Sequence, residues 1–501
     1  MLFPARRKAV WPLVIVPIVL FLYLRGTFSS TNSYMTEAPP ASEIGQVPIP
    51  ARPDRSVAVQ FLSGQKMKNL WKELHSALTH GDIGVKKIEL VEGDGGPSGE
   101  YLDPNSDYPG ERERENHLAM TTAQIQSMRT HFTTYKGKIS KLASITPYWK
   151  GTRGIVMGAG GKYTHIALTS LLLLRRTGTK LPVQVFIDTH DEYDAELCEV
   201  TFARLNAECL VMEDLIGKGT VSQYQYKILS ILFSPFQHVL FLDADAWPIY
   251  DPAFVFEEEP YKSTGMITWP DFWVSTVSWL FFDITGTKNG PVMERRSSES
   301  GILMFNKEMH TETLLLAAYY NWYGPDLYYK LLTQGAHGEG DKETFLHAAL
   351  ALEKPFYNVR QSNGIVGRWI NDTLHTAAMV QHDPVDDLKT EKYTEQHAGV
   401  PKKDKDDKVI PPRPLFIHHN LWKMDFFDLG DDISPIHMRD KDGKLTRTWG
   451  DQKDLFKRAG FDIEEMMFKT LINAKCRVVN PPPECPGLRN YYDTVFHSGS
   501  R

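Results

Sequence analysis

Asp243 and Asp245 stand one residue apart at the end of an apolar run, Val239 to Leu242, inside the segment His238 to Pro252. Four apolar residues without polar alternation read as a central strand covered on both faces. The carboxyl end of such a strand is where ligands bind in open α/β sheets. Two carboxylates placed there repel each other unless a cation neutralises them, and a divalent metal is the natural partner. Two other readings compete. The pair can form a plain turn before Pro248, with Asp245 accepting backbone N–H bonds. It can also follow the phosphatase pattern of nucleophile and acid/base, but that pattern opens its α/β domain, and here α/β-like sequence precedes the pair. The third reading is a nucleotide-sugar site, in which the acidic pair holds a metal that clamps a diphosphate.

Further chemistry-bearing residues come in short clusters along the chain. Gly158-Ala-Gly-Gly-Lys162 would let backbone approach a phosphate or base, though Tyr163 departs from both standard nucleotide motifs. Trp269, Phe272 and Trp273 are core candidates that can alternatively offer a carbohydrate ring a flat platform, with Asp271 on its hydroxyls or capping a turn. Glu299 and Ser300 precede an apolar run to Phe305 and should lie near the edge that carries the acidic pair. In Gln334 to Phe345 three glycines precede Asp341, the expected N-cap of a helix over Lys342 to Leu352. Glu339 and Asp341 are the candidates for an acidic group facing a reacting sugar carbon. Leu415 to Ile417 read as a strand that delivers His418, His419 and Asn420, and a histidine there can complete an oxygen-rich metal site.

The elements that must position these residues alternate. Gly154 to Met157, Leu181 to Ile187 and Cys209 to Met212 read as strands; His165 to Arg176, Asp194 to Asn206 and Ser222 to Leu232 read as helices. That order predicts an α/β, Rossmann-like, mostly parallel sheet beginning near residue 153 and running in one domain to residue 501. Phe61 to Leu78 and Ile125 to Phe132 show helical spacing, so residues 59–152 form a helical lead-in.

With 42% hydrophobic and 24% charged residues, the 501-residue chain has globular composition, and a net charge of −6 gives no basic signature for nucleic acid. Residues 9–24 carry no charge and follow Arg6, Arg7 and Lys8. As a helix they would span about 24 Å, which suits a thin membrane, with residues 1–8 cytosolic and the body lumenal. A cleaved signal peptide is the alternative. Residues 25–58, rich in Ser and Pro, read as a flexible stem. Cys198, Cys209, Cys476 and Cys485 form an even set compatible with disulfides; local pairing is one of three connectivities. Asn371-Asp-Thr373 is a glycosylation sequon.

Five ordered segments, Tyr226 to Asp251, Trp269 to Trp273, Glu299 to Gly301, Gly338 to Phe345 and Phe416 to Asn420, together resemble fungal Golgi α-mannosyltransferases of glycosyltransferase family 71. The resemblance covers about Gly154 to the C-terminus and lies nearer the α-1,2 than the α-1,3 branch. It implies a type II membrane protein with a lumenal GT-A domain behind a single N-terminal transmembrane helix. It further implies a GDP-mannose donor, a mannan or N-glycan acceptor, Mn2+, retention of configuration, and membership of a Golgi mannosyltransferase complex. Asp243 and Asp245 match the metal and diphosphate motif, with Gly158 and Lys162 on the donor. His418 falls at a further metal ligand, and Asp341 corresponds to an acidic residue near the sugar. Trp269, Asp271 and Glu299 are then the acceptor-binding candidates. A non-catalytic glycan-binding subunit of a mannan-building complex is the competing expectation.

Overall fold

A computed structural model describes residues 56–97, 115–288, 296–370, 373–397, 400–405, 407–424, 438–478 and 485–497. The expected anchor, nearly all of the stem and Asn371 lie outside them. Among the described residues no helix is long and apolar enough to cross a membrane.

The strands run in chain order as β1 (Glu89–Leu90), β2 (Leu118–Ala119), β3 (Trp149–Ala159), β4 (Val183–Ile187), β5 (Ala207–Val211), β6 (Phe236–Asp243), β7 (Ala246–Pro248) and β8 (Met266–Thr268). They continue as β9 (Pro270–Val274), β10 (Arg296–Ser298), β11 (Ile302–Asn306), β12 (Tyr357–Asn358), β13 (Gly364–Ile370), β14 (Thr373–His382) and β15 (Pro414–His418). Seven of them form the main sheet, in the order β12-β8-β11-β6-β3-β4-β5. The pairs β12/β8, β6/β3, β3/β4 and β4/β5 are parallel, while β11 runs antiparallel to both β6 and β8. The sheet is therefore parallel-rich, as the alternation of strands and helices predicts, and is made mixed by β11, whose direction the sequence does not announce.

β6 shows why its sequence makes a central strand. Leu240 and Leu242 enter the core on one face, Val239 and Phe241 the core on the other, and all four are at most 1% exposed. Each such side chain contributes about 1.5–3 kcal/mol on leaving water, and the two faces together leave no position for a polar residue from Val239 to Leu242. The helix Lys162–Arg176 covers one face, with ten consecutive or near-consecutive buried residues. The helices Gln225–Phe233 and Lys307–Trp322 cover the other. The lead-in helices Gln65–Leu78 and Thr122–Lys136 share that second core rather than forming one of their own.

Two differences from expectation bear on the site. The stretch 194–206 is a π-helix, Glu196–Thr201, followed by a short α-helical turn, and Cys198 within it is bonded to Cys209 on β5. Cys476 and Cys485 form the second bond, so both pairs are the local ones. The second difference is a four-stranded antiparallel sheet, β13-β14-β15-β7, of which the sequence announces only β15. Its three-residue edge strand β7 directly follows Asp245, and Ala246 pairs with His418 in register. This pairing brings the histidine to the acidic pair from far along the chain.

Candidate active site

Asp243 ends β6, and its backbone N–H donates to the Gly301 carbonyl at 2.8 Å, so the turn Glu299 to Gly301 lies against it. On the other side Gly158 of β3 pairs with Asp243 in parallel register, and the loop after it leads into Lys162, the first residue of its helix. Gly158 thus stands beside the first aspartate at the carboxyl end of the sheet, and Lys162 follows it four residues on.

Asp243, Asp245 and His418 offer ligand atoms that all lie within 4.8 Å of one another. His418 Nε2 is 3.1 Å from Asp245 Oδ1 and 3.8 Å from Asp243 Oδ2. Its Nδ1 faces Glu299 Oε1 at 2.8 Å, and the same oxygen accepts from the Gly301 N–H at 2.6 Å. Gly301 is required here: a Cβ would overlap the His418 ring and Glu299. Two carboxylates and one imidazole make an oxygen-rich donor set that fits a hard divalent ion such as Mn2+. Glu299 supplies the outer hydrogen bond that would fix His418 if its imidazole held such an ion.

Without a cation the charges are balanced by protein groups. Burial alone would push Asp245 up, but the His418 imidazolium and the Lys423 ammonium, both bonded to it, hold it well below the usual carboxylate range. Burial alone would push His418 down; Glu299 and Asp245 outweigh it and push it up to about 10. Lys227, from the helix Gln225–Phe233, bonds Asp243 Oδ2 at 3.2 Å and the Ser300 carbonyl and hydroxyl at 2.9 and 3.1 Å. It also lies 3.4 Å from Asp341 Oδ2. This lysine is not among the sequence-derived candidates, although it is the one charged residue of the helix Gln225–Phe233, which was the available signal.

Asp341 joins the acidic pair through Lys227 and through Ser300, whose hydroxyl donates to Oδ1 at 3.0 Å. Burial first, and then the charge of Asp243, raise its carboxyl above the ordinary range against the pull of Lys227. Its side chain is not the expected N-cap: the helix is Thr344–Ala351, with Glu343 at the N-cap, and only the Asp341 carbonyl accepts from Thr344. The carboxylate is drawn instead to Ser300 and Lys227. Glu339, by contrast, is engaged by Lys330 at 2.9 Å and the Thr333 hydroxyl at 3.3 Å.

The remaining candidates fall around this centre in structural contacts. Trp269 is fully buried, stacks edge to face on Phe416 with ring centroids 5.5 Å apart, and donates Nε1–H to the His382 carbonyl at 2.8 Å. It is a core residue and offers no platform to a sugar, which corrects its place among the acceptor-binding candidates. The cause is that Trp269 joins β8 of the main sheet to β9 and turns into the core toward β14 and β15 of the antiparallel sheet. Asp271 pairs with Lys342 at 2.8 Å, and Glu299 is spent on His418 and Gly301. His419 is structural: its N–H holds the Asp245 carbonyl at 2.9 Å, its Nδ1 faces the Trp422 carbonyl, and its Nε2 accepts from Trp449. Burial pushes it down to about 4.

A parallel-rich sheet whose central strand ends in Asp243, beside the buried Asp245 and His418, defines an α/β protein with an acidic cluster at its strand ends. The Mannosyl_trans3 mannosyltransferase family model matches residues 152–298 and 292–383. The α-1,2-mannosyltransferase MNN2 of Saccharomyces cerevisiae is 32% identical over 438 residues, covering 74% of this chain and 72% of that protein. MNN21 of Candida albicans, also named an α-1,2-mannosyltransferase, is 34% identical over 371 residues, 62% of this chain and 56% of that one. The chain thus spans a little over half the length of the Candida relative. It belongs to this mannosyltransferase family. Among solved structures, galactosyltransferase LgtC with donor and acceptor sugar analogues matches at 13% identity and a TM-score of 0.29, over 41% of this chain and 73% of that one.

Proposed function

We propose that the chain transfers mannose from GDP-mannose to mannose residues of mannan or N-glycan outer chains, forming α-1,2 linkages with retention of configuration in a metal-dependent reaction. The observation that carries this reading is the convergence of Asp243, Asp245 and His418 within 4.8 Å, with Asp341 tied to them through Lys227. The relatives' names supply the linkage and the transferred sugar. The sheet order is compatible with a GT-A fold, and residues 153–501 are its catalytic domain. The anchor at 9–24 and the stem at 25–58 would hold this domain in the lumen of a Golgi membrane, where a mannosyltransferase complex is its setting.

Asp243, Asp245 and His418 would hold Mn2+, which would supply positive charge to stabilise the GDP leaving group. Glu299 keeps the His418 Nδ1–H occupied, so that Nε2 faces the two carboxylates and would offer its lone pair to the cation once its proton leaves. Gly158 and the loop to Lys162 border the donor side. Lys227 screens Asp243 from Asp341, allowing a second carboxylate to stay in a buried site. Asp341, fixed by Ser300, is the acidic group we place at the sugar carbon.

The test incubates the full-length chain with GDP-mannose, Mn2+ and an α-1,6-linked mannose oligosaccharide, and reads the product linkage by NMR. A new α-1,2 linkage that disappears on chelation and in Asp243→Ala or Asp245→Ala supports the reading. An α-1,3 linkage overturns the branch, and transfer that survives either substitution overturns the metal assignment. A folded protein that binds mannosides yet transfers nothing would be a glycan-binding subunit.

A further inference from the structure

We propose that Tyr224 is the platform on which the acceptor mannoside stacks, an assignment that rests on the mannosyl-transfer reading of the same site. Tyr224 is a large aromatic residue left 50% exposed, and it stands immediately before the helix Gln225–Phe233 that carries Lys227. Three residues apart on a helical turn, the two side chains share a face. Lys227 reaches Asp243 and Asp341, so the ring lies at the rim of the reaction centre.

Its setting differs from that of a scattered surface aromatic. Tyr329 supports the ring edge to face, with centroids 6.3 Å apart and planes at 77°. Gly340 lies against it from the other element of the site: a Cβ there would stand 3.3 Å from Cδ2 and Cε2, and its φ of +153° disfavours a side chain. Gly340 directly precedes Asp341. Tyr224 therefore spans the helix that delivers Lys227 and the loop that delivers Asp341, held in place yet open to solvent.

The chemistry fits a pyranose. Stacking needs a flat apolar face fixed beside hydrogen-bonding groups, because the sugar presents C–H bonds on one side and hydroxyls around its edge. Asp341 Oδ2 is buried and accepts no hydrogen bond, with Lys227 as its ionic neighbour at 3.4 Å. A mannose seated on Tyr224 would lie over the Gly340–Asp341 loop that carries that carboxylate. The nucleotide is assigned elsewhere, on the β3 side of Asp243 where Gly158 pairs with it. The β11 side, with Ser300, Asp341 and Tyr224, is left to the acceptor.

The test uses the full-length chain and α-1,6-linked mannotriose as the probe, with transfer kinetics and saturation-transfer NMR of the mannotriose in donor-free protein. Tyr224→Ala and Tyr224→Leu should raise the acceptor KM roughly tenfold or more and weaken the NMR contact. Tyr224→Phe should restore both, and the GDP-mannose KM should move far less. Trp279→Ala removes a comparably exposed aromatic, 44% exposed, and should keep the acceptor KM. An unaltered acceptor KM in Tyr224→Ala, no recovery with Tyr224→Phe, or an equal effect from Trp279→Ala would overturn the assignment. If wild type transfers no mannose, the functional reading fails first, and the NMR contact still decides whether Tyr224 holds a mannoside.

Discussion

Glu299 Oε1 lies 2.8 Å from His418 Nδ1, and both side chains are buried. The carboxylate orients the ring so that Nε2 points at Asp245 and Asp243, the geometry in which an imidazole completes a divalent-cation site. Glu299→Gln keeps the shape but removes the charge, and Glu299→Ala removes both. We expect Mn2+ affinity to fall about tenfold in the first and up to about a hundredfold in the second, read by calorimetry on the full-length chain. Equal affinity in all three would show that the ring is oriented by something else.

Gly301 tests the same arrangement without touching a ligand. Its Cα position faces the His418 ring and the Glu299 carboxylate so closely that a methyl group overlaps both. Gly301→Ala must therefore displace the histidine or the turn before β11. The expected result is a folded protein, by circular dichroism, with Mn2+ binding and transfer both reduced at least about tenfold. Normal metal binding would mean the turn yields cheaply.

Proton linkage supplies a third prediction. In the cation-free protein His418 is pushed up to about 10, burial being outweighed by Glu299 and Asp245. A raised folded value means the linked stability is fully present below the ordinary value near 6.5 and is lost as pH rises through about 10. A cation on Nε2 must expel that proton, so apparent affinity should rise about tenfold per pH unit from 6.5 toward 10. Calorimetry in buffers of different ionisation enthalpy should count about one proton released at pH 7.5, and none in His418→Gln. A pH-independent affinity would show that the ring is already neutral.

Trp269 should behave as core. It is fully buried between Phe416 and the His382 carbonyl, and Trp269→Ala should cost about 3–5 kcal/mol of stability through the cavity it leaves. At a temperature where the variant remains folded its acceptor KM should match wild type. Denaturant melts together with kinetics separate the two effects, and a selective rise in KM would return Trp269 to the binding surface.

The sequence revealed what is encoded locally. Asp243 and Asp245 follow a four-residue apolar strand, and His418 closes another, so strand ends and acidic residues can be read side by side. Trp269 and Trp273 lie in one short segment whose two faces no period distinguishes; only the contacts of Trp269 with β14 and β15 show which ring is buried. Asp341 read as a helix cap because its competing partners, Ser300 and Lys227, come from other segments. The antiparallel sheet was missed for the same reason. β7 is three residues long and is defined only by its pairing with β15.

Lys227 is the residue in which these non-local contacts meet. It is almost fully buried, and burial would lower its affinity for a proton, yet Asp243, Asp341 and Glu299 together raise it. Lys227→Met leaves Asp243 and Asp341 without the cation between them, and breaking a buried pair in this way costs about 3–5 kcal/mol. Part of that cost is avoidable, because Asp341, already raised by burial and by Asp243, can take up a proton and become neutral. The stability gap between Lys227→Met and wild type should therefore narrow as pH falls from 8 to 5, while transfer stays low because Asp341 is then no longer a carboxylate. Lys227→Arg keeps the charge and should recover most of the stability. Thermal melts across that pH range decide the point: a gap independent of pH would mean that Lys227 acts through packing, and Asp341 would lose the charged role assigned to it.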